Sequence, residues 1–324
     1  MLAFRVTDLS DTLGLVEIDR PNPGRGEVGI AVEAASLNFG DLLLMRGTYQ
    51  EMPELPFTLG MELCGRIDSL GPGVDGPPVG TRVVAYCGTG ALAQTAVVPA
   101  ANCLPVPDGL DAETAAAMPI AYGTSDLALF HRARLTAGET LLVTGAAGGV
   151  GLTAVELGAA AGARVIACAR GTEKCALARE AGAAETVDLA EADPAALRDR
   201  VRALGRADVL YDTVGGALFE EALRAMNPGG RAIVVGFAGG DVPQVKLNHL
   251  LVKNLDVIGY YWGAYKTFAP GLLRDSLARC LDRAARGEVR PHVGLRLPFY
   301  RVAEGYEALR ERRTTGKVVI EIGG

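Results

Sequence analysis

A glycine-rich segment at residues 144–151, TGAAGGVG, has the composition of a phosphate-binding turn. It follows the apolar run ETLLVTGA and leads into GGVGLTAVELGAAAG, whose apolar residues have helical spacing. In a strand–turn–helix context, glycine lets the backbone approach a pyrophosphate, and the helix N-terminus stabilises its negative charge. Ala146 stands where the usual fingerprint has its first glycine. The alternative is a turn that binds nothing. The residues predicted to contact the pyrophosphate are Ala147, Gly148, Gly149 and Val150.

Two cations follow the next predicted strand, in the segment CARGTEK at residues 168–174. A site for NAD usually has an acid here, which bonds to the ribose hydroxyls. Arg170 and Lys174 would instead attract the 2′-phosphate of NADPH, and each charge-assisted hydrogen bond contributes about 1.5–3 kcal/mol. Glu173 lies between them and weakens the argument, and the alternative is a solvated cationic surface. We therefore predict that the cofactor is NADPH.

The elements that position these residues change character along the chain. Up to about residue 120, short alternating runs place Val28, Ile30, Val32 and Ala34 on one face, which predicts an antiparallel barrel-like domain. From about residue 139, strands alternate with helices, which predicts a doubly wound parallel (Rossmann) sheet of the α/β class. One of these helices is expected to begin with Thr172 as its N-cap. Ligands bind at the carboxyl ends of such strands. The further cofactor residues predicted there are Asp212, Thr213, Val214, Val235, Gly236 and Phe237.

Composition excludes several classes of function. The 324 residues are 49% hydrophobic and 22% charged, with a formal net charge of −6. Without a basic tract, a nucleic-acid partner is not expected. The chain has no apolar run of the roughly eighteen residues that a membrane span needs. Six cysteines without CxxC spacing, and an N-terminus without signal-peptide architecture, lead us to expect a cytoplasmic protein.

Several motifs together resemble the zinc-lacking quinone oxidoreductase branch of the medium-chain dehydrogenase/reductase superfamily. They are SLNFGDLLLMRGTY, LPFTLGMELCGRI, TGAAGGVG, YDTVGG, VVGF and GKVVIEI, and the similarity extends over essentially the whole chain. The resemblance implies a GroES-like barrel domain made of residues 1–120 and 262–324, with a dinucleotide-binding domain of residues 121–261 between them. It also implies a homodimer, often joined through the edges of the nucleotide sheets.

The resemblance also bears on metal binding. In the family's alcohol dehydrogenases, a cysteine ligand stands where this chain has Asn38, and a histidine ligand stands where it has Met61. The four-cysteine lobe has no counterpart between residues 87 and 98. Zinc requires cysteine, histidine or carboxylate ligands at suitable spacing, so we predict no metal. The histidines, none of which lies in a family ligand position, are His131, His249 and His292.

The activity that the resemblance implies is hydride transfer from NADPH to a quinone or an α,β-unsaturated carbonyl. Tyr49 matches a catalytic tyrosine of enoyl thioester reductases, although a tyrosine that only lines the pocket mouth is an equal alternative. Asn38 and Asp41 are expected near the nicotinamide ribose and are taken as catalytic candidates with Tyr49. Thr124 is expected near the nicotinamide, and Lys317 is expected to reach towards the cofactor.

One departure from the family counts against NADPH. Many quinone oxidoreductases place a tyrosine near the 2′-phosphate after the third strand, where this chain has Asp188. Two other functions stay open at this point. One is an enoyl thioester (enoyl-CoA) reductase, with Arg46 and Lys266 as candidate contacts for the carrier phosphate. The other is a protein that binds NADPH without catalysis.

Overall fold

The structure is a computed structural model that describes residues 1–9, 13–190 and 194–323. Its strands, in chain order, are β1 (Leu2–Val6), β2 (Leu13–Glu17), β3 (Glu27–Leu37), β4 (Phe57–Thr58), β5 (Glu62–Leu70), β6 (Arg82–Tyr86), β7 (Thr95–Pro99), β8 (Cys103–Pro105), β9 (Thr140–Thr144), β10 (Arg164–Ala169), β11 (Glu185–Asp188), β12 (Ala207–Asp212), β13 (Met226–Val234), β14 (Asp256–Gly259), β15 (Val293–Pro298) and β16 (Lys317–Glu321).

The α-helices are α1 (Phe39–Met45), α2 (Ala112–Ala116), α3 (Pro119–Asp126), α4 (Gly149–Ala160), α5 (Thr172–Glu180), α6 (Pro194–Ala203), α7 (Gly216–Arg224), α8 (Leu247–Lys253), α9 (Tyr265–Phe268), α10 (Pro270–Ala285) and α11 (Val302–Arg310). A π-helical segment, Leu127–Arg132, extends α3, and short 3₁₀ turns are Ala100–Asn102, Trp262–Ala264 and Phe299–Arg301. Among the described residues, none of these helices has the length and apolar character that crossing a membrane would require.

The chain divides into two compact units. The first unit comprises Met1–Ile120 and Leu277–Gly324, and the second comprises Ala121–Ser276. The sequence predicts a return to the first domain at residue 262, whereas the second unit extends to Ser276. Contacts with the second unit explain the difference, because the Ser276 hydroxyl donates to the buried Asp126 carboxylate at 2.6 Å. The ring of Tyr265 also packs against that of Tyr260, with the centroids 5.9 Å apart.

The first unit is built around a seven-stranded sheet with the order β15-β16-β3-β5-β6-β8, in which β7 also pairs with β3. A smaller sheet has the order β2-β1-β4. β16 pairs in parallel with β15 and antiparallel with β3, so the last strand of the chain lies beside one of the first. Val28, Ile30, Val32 and Ala34 are all buried, which confirms the predicted apolar face of β3.

The second unit contains a six-stranded parallel sheet with the order β11-β10-β9-β12-β13-β14. Together with the separate, mainly antiparallel sheet of the first unit, this confirms the predicted fold class. β9 leads through the glycine-rich turn into α4, which is buried on most of its surface rather than along one stripe. The prediction that Thr172 is the N-cap of α5 was wrong, because Thr172 is already the first helical residue. The N-cap is Gly171, whose φ of +91° and ψ of 153° are not helical.

Candidate cofactor and acceptor sites

The glycine-rich turn brings the start of α4 directly against the end of β9. A Cβ atom on Gly151 would lie 2.2 Å from the carbonyl oxygen of Gly145, so only glycine allows this approach. Gly148 is the N-cap of α4, and its N–H donates to the Gly145 carbonyl at 3.0 Å. Gly148 is exposed, Gly149 and Val150 are half-buried, and Ala147 is buried. The turn therefore offers its backbone at a helix N-terminus, as a pyrophosphate site requires.

The end of β12 is fixed from inside the second unit. The carboxylate of Asp212 is fully buried and accepts hydrogen bonds from the Thr144 hydroxyl at 2.5 Å and the Gly215 N–H at 2.8 Å. Burial raises the pKa of this carboxyl. The Thr213 hydroxyl donates to the Thr144 carbonyl at 2.9 Å. Asp212 thus has no exposed atom with which to contact a cofactor, and it holds the ends of β9 and β12 together instead.

The segment after β13 lies against the loop after β12. The Val235 N–H donates to the Asp212 carbonyl at 2.9 Å. A Cβ atom on Gly215 would lie 2.9 Å from the Phe237 ring, so the two loops are in close contact. Val235 and Gly236 are half-buried, and the Phe237 side chain is 39% exposed. The predicted strand-end residues are therefore neighbours in the second unit.

The two predicted cations follow β10, one directly after the strand and one in the first turn of α5, and an acid at the end of β11 bonds to the turn between them. Ala169 on β10 is paired with Asp188 on β11. Arg170 is exposed and Lys174 is half-buried. One carboxylate oxygen of Asp188 accepts hydrogen bonds from the N–H groups of Gly171 and Ala190, at 2.8 and 2.9 Å. These bonds hold the pKa of Asp188 below its usual range, so its carboxylate is negatively charged at neutral pH.

In the first unit, the ammonium group of Lys317 lies inside a buried polar cluster that consists of Ser36, Asn38, Glu62 and Lys317. Its Nζ donates to the Leu37 carbonyl at 3.0 Å, to Asn38 Oδ1 at 2.7 Å and to Glu62 Oε1 at 2.8 Å. An ammonium group has three N–H donors, and all three are directed at protein oxygens. Lys317 is 5% exposed. It therefore has no donor left for a cofactor, unlike the sequence prediction, and it orients Asn38.

Glu62, which the sequence analysis missed, is the centre of this cluster. Its Oε1 accepts hydrogen bonds from the Ser36 hydroxyl at 2.5 Å and from Asn38 Nδ2 at 2.8 Å, in addition to Lys317. Its Oε2 accepts from the Ile120 N–H at 2.7 Å. The side chain is fully buried. A buried carboxylate is stable only when it is paired and hydrogen-bonded, and Glu62 satisfies both conditions. The available signal was a lone charge in the otherwise apolar run LGMELCG.

Asp41 is enclosed at the start of α1. Its Oδ2 accepts a hydrogen bond from the Asn38 N–H at 2.8 Å, which forms part of a capping box. Burial raises the pKa of this carboxyl to about 7. The Tyr306 hydroxyl lies near it, but the geometry falls short of a hydrogen bond to Oδ1. Asp41 has no exposed surface with which to make the ribose contact that was expected from the resemblance. Its carboxylate instead positions the start of α1.

Tyr49 is the catalytic candidate that keeps accessible surface, because it is half-buried whereas Asn38 is 7% exposed. A Cβ atom on Gly40 would lie 3.3 Å from Cε2 of Tyr49 and 2.7 Å from Cε of Met61. The tyrosine ring and the thioether therefore both pack against the first turn of α1. In the second unit, Thr124 is buried, and its carbonyl accepts a hydrogen bond from the Tyr260 hydroxyl at 3.0 Å.

The positions that hold zinc in the family's alcohol dehydrogenases have other partners here. The side chain of Asn38 bonds to Lys317 and Glu62, and Met61 packs against Gly40. Across the described parts of the chain, no group of three or more histidine, cysteine, aspartate and glutamate side chains is placed to hold a metal ion. That the protein contains no zinc stays a prediction for elemental analysis.

Comparison with known proteins identifies the family. Residues 24–108 match the alcohol dehydrogenase GroES-like domain, and residues 149–276 match the zinc-binding dehydrogenase family. The quinone oxidoreductase-like protein 2 homolog of Nematostella vectensis is 38% identical over 305 residues, covering 92% of this chain and 82% of that protein. The chain belongs to the zinc-lacking quinone oxidoreductase branch of the medium-chain dehydrogenase/reductase superfamily.

Other members of the superfamily extend the comparison. The acryloyl-coenzyme A reductase of Metallosphaera sedula is 30% identical over 332 residues, covering 94% of this chain and 95% of that enzyme. The quinone oxidoreductase of Thermus thermophilus, whose structure is known alone and with NADPH, is 35% identical with a TM-score of 0.86. That match covers 99% of this chain and 100% of the Thermus chain.

Proposed function

We propose that this protein is an NADPH-dependent reductase that transfers a hydride to quinones or α,β-unsaturated carbonyl compounds without a metal. The observation that carries the proposal is the pair of cations that follow β10, the strand next to β9 and its glycine-rich turn: Arg170 comes directly after β10, and Lys174 lies in the first turn of α5. A turn that only glycine permits, at a helix N-terminus, fits a pyrophosphate, and the two cations fit a 2′-phosphate. The Thermus relative, which was solved with NADPH, supports the same cofactor.

The residues of the first unit would serve the acceptor. When bound, NADPH supplies the hydride, and the acceptor gains that hydride and one proton as NADP⁺ forms. Negative charge develops on the acceptor oxygen, and a hydrogen-bond donor stabilises it. The Tyr49 phenol is such a donor and keeps accessible surface. Lys317 and Glu62 hold Asn38, and Asn38 with Asp41 caps α1, against which the Tyr49 ring packs.

The net charge of residues 46–56, the segment that contains Tyr49, favours a neutral acceptor over a coenzyme A thioester. The segment after α1 carries the exposed acids Glu51 and Glu54 and a single exposed cation, Arg46. The same segment exposes 40% of Met52 and 44% of Leu55, which suit an apolar ring. The phosphates of coenzyme A would meet net negative charge there, whereas a quinone or a short enone would not. The similarity to an acryloyl-coenzyme A reductase keeps the thioester as the second candidate.

An acceptor panel tests the proposal. NADPH consumption is followed by absorbance with a benzoquinone, a short enone and crotonyl-coenzyme A, at matched concentrations. We expect the quinone or the enone to react at least about tenfold faster than the thioester, as charge repulsion would produce. Preference for the thioester would favour the second candidate. Binding of NADPH, seen as a fluorescence change, without consumption by any acceptor would contradict enzymatic activity and support the non-catalytic alternative.

Substitution of Tyr49 by phenylalanine tests the proposed donor. We expect kcat to fall about 100-fold, because one proton donor contributes this much in related reactions, and the Kd for NADPH to stay unchanged. Steady-state kinetics and a fluorescence titration measure the two quantities. Tyr300→Phe is the matched control, since Tyr300 is 76% exposed. An unchanged kcat with a modest rise in KM would show that Tyr49 only lines the site.

We also propose a homodimer that forms through the edge of the nucleotide sheet. Within the described residues, β14 ends the six-stranded sheet and has a neighbour on one side only. Val257 on β14 is 37% exposed, and the preceding helix α8 exposes 77% of Leu247, 77% of Leu251 and 76% of Val252. A second copy would continue the backbone ladder and cover these apolar side chains.

Light scattering on a single lysine variant tests this assembly. We expect Val257→Lys to convert a dimer into a monomer, because two buried ammonium groups would lie close to the symmetry axis. Val79→Lys is the matched control, because Val79 is 58% exposed and lies in the first unit. A variant that keeps the dimeric mass would place the interface elsewhere.

A further inference from the structure

The turn between β10 and α5 is held from both sides by the segment at the end of β11. The Leu189 N–H donates to the Ala169 carbonyl at 2.8 Å, just before Arg170. The Gly171 N–H donates to Asp188 Oδ1 at 2.8 Å, just after Arg170. The backbone of Arg170 is therefore fixed at both of its neighbours, and one of the two contacts depends on a single side chain.

Gly171 contributes only its backbone to this turn. Gly171 has a φ of +91° and a ψ of 153°, a conformation that glycine adopts readily but does not enforce. As the N-cap of α5, Gly171 has no side chain with which to close the turn. The oxygen of Asp188 that binds Gly171 also accepts from the Ala190 N–H at 2.9 Å. One carboxylate oxygen thus joins the turn to the backbone that follows β11.

The two possible effects of Asp188 on NADPH binding have opposite signs. A negative charge near a 2′-phosphate repels it, and its removal would then strengthen NADPH binding. A carboxylate that fixes the position of Arg170 assists binding, and its removal would then weaken it. The partly exposed setting screens the charge, whereas the two N–H bonds have short, direct geometry. The contacts therefore favour the second effect.

We propose that Asp188 is a positioning residue for coenzyme selectivity, which fixes the β10–α5 turn so that Arg170 and Lys174 bind the 2′-phosphate. In the sequence, Asp188 is an argument against NADPH as the cofactor, whereas its hydrogen bonds in the structure would assist NADPH binding. This inference rests on the proposed function, since it assumes that NADPH occupies the second unit.

Two substitutions at Asp188 separate its charge from its hydrogen bonds. We expect Asp188→Ala to raise the Kd for NADPH about tenfold and to change the Kd for NADH less than about twofold, because the 2′-phosphate contacts are affected selectively. Asp188→Asn, whose amide oxygen can accept the same N–H bonds, is expected to stay within about threefold of the wild type for both. Fluorescence titrations with NADPH and NADH measure all of these constants.

Further variants keep the test decisive. Gly171→Ala has open space for its methyl group, but its positive φ strains the backbone of any residue other than glycine. It therefore disturbs the same turn without altering charge, and it is expected to weaken the binding of NADPH more than that of NADH. It also replaces Asp188→Ala if that variant does not fold. Asp199→Ala, at an acid whose side chain is 67% exposed on α6, is the control for loss of a negative charge.

Three results would overturn the inference. Tighter NADPH binding by Asp188→Ala would show that repulsion dominates. Equal weakening of NADPH and NADH would show a general effect on the second unit. Absence of NADPH binding by the wild type would contradict both the proposed function and the inference. The first two results would contradict the inference and leave the proposed function standing.

Discussion

Replacing Arg170 with alanine is expected to raise the Kd for NADPH about 10- to 150-fold, since one charge-assisted hydrogen bond contributes about 1.5–3 kcal/mol. The Kd for NADH should hardly change, because NADH lacks the 2′-phosphate that the guanidinium would contact. Arg170 is exposed and lies next to the turn that Asp188 holds, so its removal should leave the fold intact. Fluorescence titrations and the Michaelis constants for both coenzymes provide the measurement.

Two controls make this result specific to the phosphate. Arg179→Ala removes an exposed arginine from the last turn of α5 and should leave the Kd values for both coenzymes unchanged. Raising the salt concentration should reduce the preference of the wild type for NADPH, because exposed charges are screened beyond about 10 Å at 0.1 M ionic strength. Equal losses for NADPH and NADH in Arg170→Ala would rule out the proposed phosphate contact.

The variant Asp41→Asn is expected to become progressively more stable than the wild type as the pH rises from about 4 to 8. Burial raises the pKa of Asp41 from 3.8 to about 7, so the folded protein binds this proton more tightly than the unfolded chain does. The stability that this proton contributes is complete below the unfolded pKa and is lost as the pH rises through the folded pKa. A shift of about three pKa units corresponds to about 4 kcal/mol. Asparagine does not titrate and avoids this loss.

Urea unfolding at several pH values, followed by circular dichroism, measures this difference. The surroundings of Asp41 include Lys317, which lowers its pKa, and Glu62, which raises it, and the variant leaves both in place. Asp19→Asn, at an exposed position, is the matched control and should follow the wild type at each pH. Parallel stability curves for Asp41→Asn and the wild type would show that folding does not raise the pKa of Asp41.

The parts of the fold that could be predicted are those that depend on local sequence. The glycine-rich turn and the strand before it are defined by residues within a few positions of each other, and β9 and α4 follow as expected. The alternation in β3 similarly identifies its buried face, because side chains on a strand alternate between two sides. Arg170 and Lys174 could be recognised because one helix and one strand, α4 and β10, set their distance in the chain from the turn.

The polar interior of the first unit could not be predicted in the same way. Lys317 bonds to Asn38, 279 positions earlier in the chain, and Glu62 bonds to both. The resemblance to the family implies that Lys317 and Asp41 lie near the cofactor. Their burial depends instead on β16 and α11 returning to β3 and α1, which only the tertiary structure reveals. Asp188 illustrates the same limit, because its partner Gly171 lies on a neighbouring strand end.

The position of β16 between β15 and β3 in the first sheet has a consequence for biosynthesis. β3 leaves the ribosome early, but the strand that covers its edge is residues 317–321, which are translated after the whole second unit. The second unit is continuous, from Ala121 to Ser276, and can assemble as soon as it emerges. We therefore expect the second unit to reach its native form during synthesis before the first sheet is complete, because β3 pairs with β16 only after the second unit has been made.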